Sequence, residues 1–101
     1  MNTQNPIISI SVAAKLLKLH PRTLMLYEKT GLLAPYRTQT SRRLYSKDDL
    51  AILHFIKFLT QEKRISLQGV LYLLKAIHLA EGRNLELQRL LFPEYKKKTL
   101  V

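Results

Sequence analysis

Basic side chains crowd one part of the sequence, and their chemistry is that of anion binding. Eight Lys and Arg residues and a single acid, Glu28, lie between Lys15 and Lys47. Tyr36 and Tyr45 flank the basic residues at the end of this stretch. Guanidinium and phenol groups hydrogen-bond to phosphate oxygens, so the stretch predicts a polyanionic partner, most often nucleic acid and sometimes a membrane surface.

Side chains that could catalyse a reaction or hold a metal are not arranged for either. The three histidines, His20, His54 and His78, are scattered without the spacing of metal ligands, and cysteine is absent. The sequence contains no carboxylate pair, nucleophile motif or phosphate-binding glycine loop. We therefore expect no enzymatic activity, no cofactor and no metal site, and we expect His20 to cap a helix that begins at Pro21.

The overall composition is that of one small globular domain with a large positive charge. The chain has 101 residues, of which 47% are hydrophobic, and its net charge is +10. Its apolar runs are far shorter than the roughly 20 residues that cross a bilayer, and the first ten residues lack the features of a secretory signal. We therefore expect a cytoplasmic, nucleoid-associated protein without a membrane partner.

Two short helices joined by a tight turn are predicted over about residues 10–30. Ser9 is a suitable N-cap, and the apolar residues that follow it share the spacing of one helical face: Ile10, Ala13, Ala14 and Leu17. Pro21 suits the first position of the second helix, which turns Leu24 and Tyr27 inward, and Gly31 suits its end. This is the helix-turn-helix pattern.

A small β-hairpin and a second pair of helices follow. Residues 36–46 are polar, basic and tolerant of extended backbone, which predicts a hairpin or wing. Two further helices are expected, each opened by a serine cap: about 47–62 after Ser46, with Asp49 completing a capping box, and about 67–80 after Ser66.

The predicted fold is mainly α, with the hairpin wing and a short C-terminal helix. It divides into a flexible N-terminus at 1–6, a winged helix-turn-helix domain at 7–80, and a C-terminal helix with a basic tail at 81–101. The last helix is expected at 85–92, between a cap at Asn84 and Pro93.

Three motifs in order, PRTLxxYExxGLL, RxYSxxDL and ISLxxV, resemble the MerR family of transcriptional regulators. Within that family the sequence is most similar to the heat-shock repressor subgroup, HspR, over about residues 7–80. The resemblance implies a MerR-type winged helix-turn-helix domain whose second helix enters the major groove while the wing holds flanking phosphates. It also implies that the helix pair at 47–80 forms a second wing that contacts the DNA backbone.

The candidate DNA-binding residues lie on three elements. Those expected on the second helix are Arg22, Thr23, Met25, Leu26, Tyr27 and Lys29. Those expected in the wing are Arg37, Arg42, Arg43 and Tyr45, and those expected at the second wing are Lys63 and Arg64. The free N–H groups at the start of the second helix are also expected to face anions.

The sequence departs from the family pattern at three places. Met25 and Leu26 stand in the middle of the recognition helix, where the family has an arginine followed by an aromatic or polar residue. Ser41 replaces a wing glycine, and Arg42 replaces an aromatic residue. We expect Met25 and Leu26 to contact thymine methyls, which predicts an A·T-rich operator; the alternative is that both tuck against the wing and read no base.

The long C-terminal dimerisation helix of the family has no counterpart after Ala80. Tyr72, Leu73 and Leu79 exceed what one face of the helix at 67–80 can hide, so an interface is expected there. The apolar residues of the last helix should fold back onto this helix or join a dimer interface: Leu85, Leu87, Leu90, Leu91 and Phe92. We therefore predict a weak or DNA-assisted homodimer.

Three functions remain open at this point. The resemblance favours a sequence-specific, double-stranded DNA-binding repressor of stress or chaperone genes, with an Hsp70-type chaperone as co-repressor. One alternative is a MerR-like protein-binding modulator of chaperones, which would not need the basic wing. The other is a DNA-bending factor of the kind that phages and plasmids use for excision.

Overall fold

The protein was analysed as a computed structural model that describes residues 2–98 and 100. Met1 of the expected flexible N-terminus, and Thr99 and Val101 of the expected tail, lie outside the described residues. The elements follow in the order β1 (Ile8–Ser9), α1 (Ile10–Leu17), α2 (Pro21–Thr30), β2 (Tyr36–Arg37), β3 (Arg43–Tyr45), α3 (Lys47–Lys57), a π-helical turn (Phe58–Glu62), α4 (Leu67–Glu81) and α5 (Leu87–Leu91). This arrangement confirms a mainly helical, winged helix-turn-helix fold.

Side-chain and backbone caps define the helix-turn-helix at α1 and α2. The Ser9 hydroxyl accepts a hydrogen bond from the Val12 N–H over 3.3 Å, as predicted for the start of α1. At the other end of the unit, Gly31 terminates α2 with a φ of 88°, a conformation that glycine adopts without the steric cost of a Cβ. The Lys57 ammonium also donates to the Leu17 carbonyl at the end of α1 over 2.8 Å, which links α3 to this unit.

The wing is a hairpin that is extended by a third strand. The antiparallel strands lie in the order β1-β3-β2, with Ile8 opposite Tyr45 and Tyr36 opposite Leu44. The pairing of Ile8 and Ser9 with the wing joins residues far apart in the chain, and it is seen only in the fold. This pairing fixes the base of the wing to the residues that lead directly into α1.

The core lies between the helix-turn-helix and the second helix pair. Its most deeply buried aliphatic side chains come from α1, α2, α3, the π-helical turn and α4: Leu17, Leu24, Leu50, Leu53, Ile56, Leu59 and Val70. The capping box at Ser46 and Asp49 is present, with both of its hydrogen bonds formed. After Lys57 the helix loosens into the π-helical turn, where the Thr60 hydroxyl donates to the carbonyls of Ile56 and Lys57.

The C-terminal segment is shorter in its helix than predicted and only partly packed. Helix α5 spans Leu87–Leu91, not 85–92, and it begins after Glu86 without a side-chain cap. Asn84 is not its cap; the residue has a φ of 60° and lies before the helix. Two of the predicted apolar residues, Leu87 and Phe92, fold back onto the core, whereas the other three remain largely exposed: Leu85, Leu90 and Leu91.

Candidate nucleic-acid interface

The outer face of α2 carries four solvent-accessible side chains: Arg22, Met25, Leu26 and Lys29. Their i, i+3, i+4, i+7 spacing places them on one side of the helix, opposite the buried Leu24 and Tyr27. Met25 is 39% and Leu26 48% exposed, so apolar side chains occupy the middle of a face whose ends are basic. Such a face can bind phosphates at its ends and apolar base groups between them.

The start of α2 is capped by His20, the residue directly before Pro21. The Nδ1 atom of His20 accepts a hydrogen bond from the Arg22 N–H over 3.0 Å, and the His20 carbonyl accepts from the Thr23 N–H over 2.9 Å. Pro21 has no N–H to offer. His20 is therefore the cap that the sequence predicts, but the expectation of free N–H groups facing an anion is wrong for Arg22 and Thr23.

A carboxylate on α2 holds two arginines of the wing. Arg43 Nε donates to Glu28 Oε1 over 2.7 Å, and one Nη atom of Arg37 lies 3.2 and 3.1 Å from the two Glu28 oxygens. The hydrogen bond from Arg43 is the main reason that the pKa of Glu28 lies below its usual value, while burial acts in the opposite direction. The carboxylate is therefore ionised at neutral pH, and the two arginines are partly neutralised.

Sequence reasoning treated Arg37 and Arg43 only as phosphate contacts and gave Glu28 no role. The signal that could have identified Glu28 is its position as the single acid among eight basic residues. An isolated carboxylate in such a stretch is surrounded by potential partners, and a structural ion pair is the expected outcome.

The tip of the wing turns back through residues 38–41 and presents one unneutralised arginine. Ser41 has a φ of 64°, which explains why the resemblance predicts glycine there. Backbone hydrogen bonds close the turn, with the Thr38 N–H donating to the Arg42 carbonyl over 3.0 Å. The Arg42 side chain is exposed and has no acidic partner within residues 2–98, so it remains available to a phosphate.

Of the two basic residues expected at the second wing, Lys63 is paired, whereas Arg64 has no acidic partner within residues 2–98. Arg64 is exposed, with a φ of 55° in the connection after the π-helical turn. Lys63 forms an ion pair with Glu94 of the C-terminal segment and lies 5.9 Å from the centre of the Phe58 ring. Within this ion pair Lys63 also donates a hydrogen bond to the Glu94 carboxylate, and that bond is the main reason that the pKa of Glu94 lies below its usual value. The structure therefore joins Lys63 to the C-terminal segment rather than to the α2 face.

Two of the twelve candidates are core residues. Tyr27 is 3% and Tyr45 is 1% exposed, so neither ring lies on the surface that was expected to face DNA. Burial raises the pKa of Tyr45, and the nearby Glu28 charge adds to that effect. For Tyr45 this burial corrects the expectation of a surface contact, whereas for Tyr27 it agrees with the inward orientation that the helical spacing predicts. Both rings belong to the hydrophobic core.

The described residues form neither a metal centre nor a helix that could span a membrane. Across residues 2–98 and 100, no three His, Cys, Asp or Glu side chains come together where they could hold a metal ion. In the same part of the chain, the helices are too short and too polar for any of them to span a bilayer.

Comparison with known proteins identifies the family. The sequence profile described as the MerR HTH family of regulatory proteins matches residues 8–77. A Streptomyces coelicolor protein that carries the name heat shock protein HspR is 39% identical over 88 residues, which cover 87% of this chain and 56% of that protein. An HTH-type transcriptional regulator of Synechocystis is 43% identical over 51 residues, 50% of this chain and 37% of that protein. The chain thus spans about half of the first relative's length and less of the second's.

Proposed function

Because the chain belongs to the MerR family of helix-turn-helix regulatory proteins, we propose that it binds double-stranded DNA sequence-specifically and represses stress or chaperone genes. The single observation that carries the DNA-binding part is the α2 face, with basic ends, an apolar centre and the wing held beside it through Glu28. The name of the Streptomyces relative supports the link to the stress response.

In this proposal α2 lies in the major groove, and basic residues at its ends and in the wing contact the DNA backbone. Arg22, Lys29 and Arg42 are exposed and have no acidic partner among the described residues, so each can contact a phosphate without breaking an ion pair. Met25 and Leu26 then face the floor of the groove, where the thymine methyl is the apolar group that distinguishes one base from another.

We further propose that the regulator acts as a weak or DNA-assisted homodimer. Tyr72 and Leu79 are 66% and 69% exposed and lie seven residues apart on one face of α4. Exposed leucines of the C-terminal segment follow in the chain: Leu85, Leu90 and Leu91. Large apolar side chains that cluster on a surface mark interaction sites, and a symmetric dimer matches a palindromic operator.

We also propose that an Hsp70-type chaperone is the co-repressor. The resemblance to the heat-shock repressor subgroup motivates this part, and the exposed apolar side chains of α4 and the C-terminal segment offer a surface on which a protein partner could bind. Adding such a chaperone to the purified protein should increase its affinity for the operator, and an unchanged affinity would contradict this part of the proposal.

The test of DNA binding is selection of bound duplexes from a random library, followed by salt titration of the selected duplex. Each phosphate contact should contribute about −0.9 to the slope of log affinity against log salt. Arg42→Gln should therefore make the slope shallower by about 0.9. Arg83→Gln, in the exposed turn after α4, is the matched control and should leave the slope unchanged. If the wild-type protein binds no duplex at about 50 mM salt, the proposal fails and the protein-binding alternative is favoured.

A further inference from the structure

We propose that Glu28 is a positioning residue that holds the wing at a fixed place relative to the recognition helix, so that sequence-specific binding depends on a carboxylate that would itself repel DNA. This inference rests on the proposed function, since it concerns how the same interface is assembled. It assigns a role to the acid of the motif PRTLxxYExxGLL, for which the sequence analysis proposes none.

The first observation is that the two wing arginines need a counterion. Arg37 on β2 and Arg43 on β3 are directly opposite each other in the antiparallel register. Like charges in directly opposite positions destabilise a strand pair. The Glu28 carboxylate lies within 2.7 Å of Arg43 and 3.1 Å of Arg37, so it removes this repulsion at the point where the hairpin is closed.

The second observation is that the ion pairs of Glu28 join α2 to the wing, rather than joining neighbouring residues of a single element. Glu28 belongs to α2, whereas its partners lie 9 and 15 residues further along the chain on separate strands. Glu28 and Arg43 are only 21% and 25% exposed, so solvent and salt screen this pair less than a fully exposed one. The contact therefore restrains the wing with respect to the helix that is proposed to read the bases.

The third observation extends the restraint to the tip of the wing. The other Nη atom of Arg37 donates to the Ser41 carbonyl over 3.1 Å, in the turn that precedes Arg42. A chain of hydrogen bonds thus runs from α2 through Glu28 and Arg37 to the backbone of the turn. Arg42, the proposed phosphate contact, follows directly from the residue at which this chain ends.

The expected effect of removing Glu28 has opposite signs for the two kinds of DNA binding. Loss of one negative charge raises the net charge from +10 by one and favours any duplex, whatever its sequence. Loss of the restraint lets the wing move relative to α2, which weakens binding only where both must fit one site. A residue that merely repelled DNA would change both affinities by the same factor.

The experiment compares three variants with the wild-type protein. Glu28→Gln removes the charge, and Glu28→Asp keeps the charge but shortens the side chain by one methylene. Glu81→Gln makes the same charge change on an exposed residue at the end of α4 and serves as the control. The probes are the duplex selected by the wild-type protein and a random-sequence duplex of the same length, each titrated with salt.

The specificity ratio is the affinity for the selected duplex divided by the affinity for the random-sequence duplex. We expect Glu28→Gln to lower this ratio about tenfold, while its affinity for the random-sequence duplex stays equal to that of the wild type or rises. We expect Glu28→Asp to lower the same ratio at unchanged net charge, and Glu81→Gln to leave it unchanged. An unchanged ratio in Glu28→Gln would overturn the proposal, and so would a loss of equal size in Glu81→Gln.

Hydrogen exchange of the free protein tests the positioning role without DNA. The Thr38 amide, which donates to the Arg42 carbonyl within the wing, should exchange faster in Glu28→Gln than in the wild type. Amides in the middle of α3 should be unaffected, which also shows that the variant is folded. Equal wing exchange in the two proteins would overturn the inference even if DNA binding is confirmed, whereas a wild type that binds no duplex overturns the proposed function alone.

Discussion

The hydroxyl of Tyr45 is buried without a hydrogen-bond partner in the described part of the chain. A buried, unsatisfied polar group costs about 1–3 kcal/mol. We therefore predict that Tyr45→Phe raises the free energy of unfolding by about 1 kcal/mol and leaves duplex affinity unchanged. Tyr95→Phe is the matched comparison, because that hydroxyl hydrogen-bonds to His54 over 2.7 Å, and its removal should destabilise the protein.

Chemical denaturation of the three proteins measures the first effect, and duplex titration measures the second. A loss of stability in Tyr45→Phe would show that the hydroxyl does have a partner in solution. A loss of duplex affinity would restore Tyr45 as a DNA contact despite its burial.

Met25 and Leu26 lead to a prediction about bases rather than phosphates. Both side chains are exposed on α2 and can offer only apolar contact. Replacing thymine by uracil in the selected duplex removes a methyl group and leaves base pairing intact, so affinity should fall at the positions that face α2. Met25→Ala should reduce the sensitivity to this replacement. If affinity is indifferent at every position, the two residues tuck against the wing, as the alternative interpretation holds.

At the scale of elements, the end of α2 provides a prediction that separates backbone strain from packing. Gly31 has a φ of 88°, and a Cβ placed on it would meet no atom within 4 Å. Gly31→Ala should therefore destabilise the protein by about 1–2 kcal/mol through the left-handed conformation alone. Gly82, at the end of α4, has a φ of −63°, so Gly82→Ala should be neutral or slightly stabilising.

Thermal or chemical unfolding of the two alanine variants measures this difference. Equal effects of the two substitutions would mean that the chain relaxes at Gly31 without cost. Because α2 leads through Gly31 to the wing, such relaxation should also increase hydrogen exchange in residues 36–45.

The packing of the C-terminal segment should depend on pH through His54. Burial, with smaller contributions from Lys57 and Lys98 and opposition from Glu62, lowers the pKa of His54. A group whose pKa is lower in the folded state contributes full stability above its unfolded pKa of about 6.5, and this contribution is lost as the pH falls through the folded value. Acidification should therefore destabilise the contact between His54 and Tyr95.

The measurement is the free energy of unfolding at about pH 7.5 and about pH 5.5, where only the second value falls below the unfolded pKa. His54→Gln should lose less stability over this interval than the wild type, since its amide keeps the hydrogen bond without titrating. His78→Gln, an exposed histidine on α4, is the control and should behave like the wild type. Equal losses in all three proteins would contradict the assignment to His54.

At the scale of the whole molecule, the proposed dimer predicts that one substitution on α4 weakens self-association. Leu79 is 69% exposed on α4, and Ile7 is 70% exposed before β1. Full burial of such a side chain contributes roughly 1.5–3 kcal/mol, so Leu79→Gln should weaken self-association by about tenfold or more. Ile7→Gln removes a similar apolar group elsewhere and should leave self-association unchanged.

Sedimentation of the free protein and of its complex with the selected duplex checks this prediction. A dimer should form on a duplex with two half-sites even where the free protein is mainly monomeric. A monomer in both samples, with a single half-site protected, would contradict the dimer.

Features that depend on near neighbours could be read from the sequence. The caps at Ser9, His20, Gly31, Ser46 and Ser66 each involve a hydrogen bond or a backbone conformation within a few residues of the cap. The spacing of apolar residues likewise identified the buried faces of α1, α2 and α3. Such features are local, because a helix terminus must satisfy its own N–H and carbonyl groups from the adjacent chain.

The side-chain contacts that the sequence could not determine join residues far apart in the chain. Glu28 meets Arg43 across 15 residues, and His54 meets Tyr95 across 41. Lys63 pairs with Glu94 of the C-terminal segment, a contact that the sequence did not predict. A basic residue has many acids within its reach along an unfolded chain, and the charge pattern alone does not select among them.

The sequence by itself therefore determined the order of the helices, the residues at which α1 to α4 begin, the place of the wing and its basic character. Only the tertiary structure decided which basic groups remain free, since each choice depends on which acid the fold brings within hydrogen-bond distance. It also decided that the Tyr45 ring is core and not surface, because a ring on a strand is buried by the elements that pack over it. Local hydrogen bonds need only the neighbouring residues, whereas burial and ion pairing need the assembled chain.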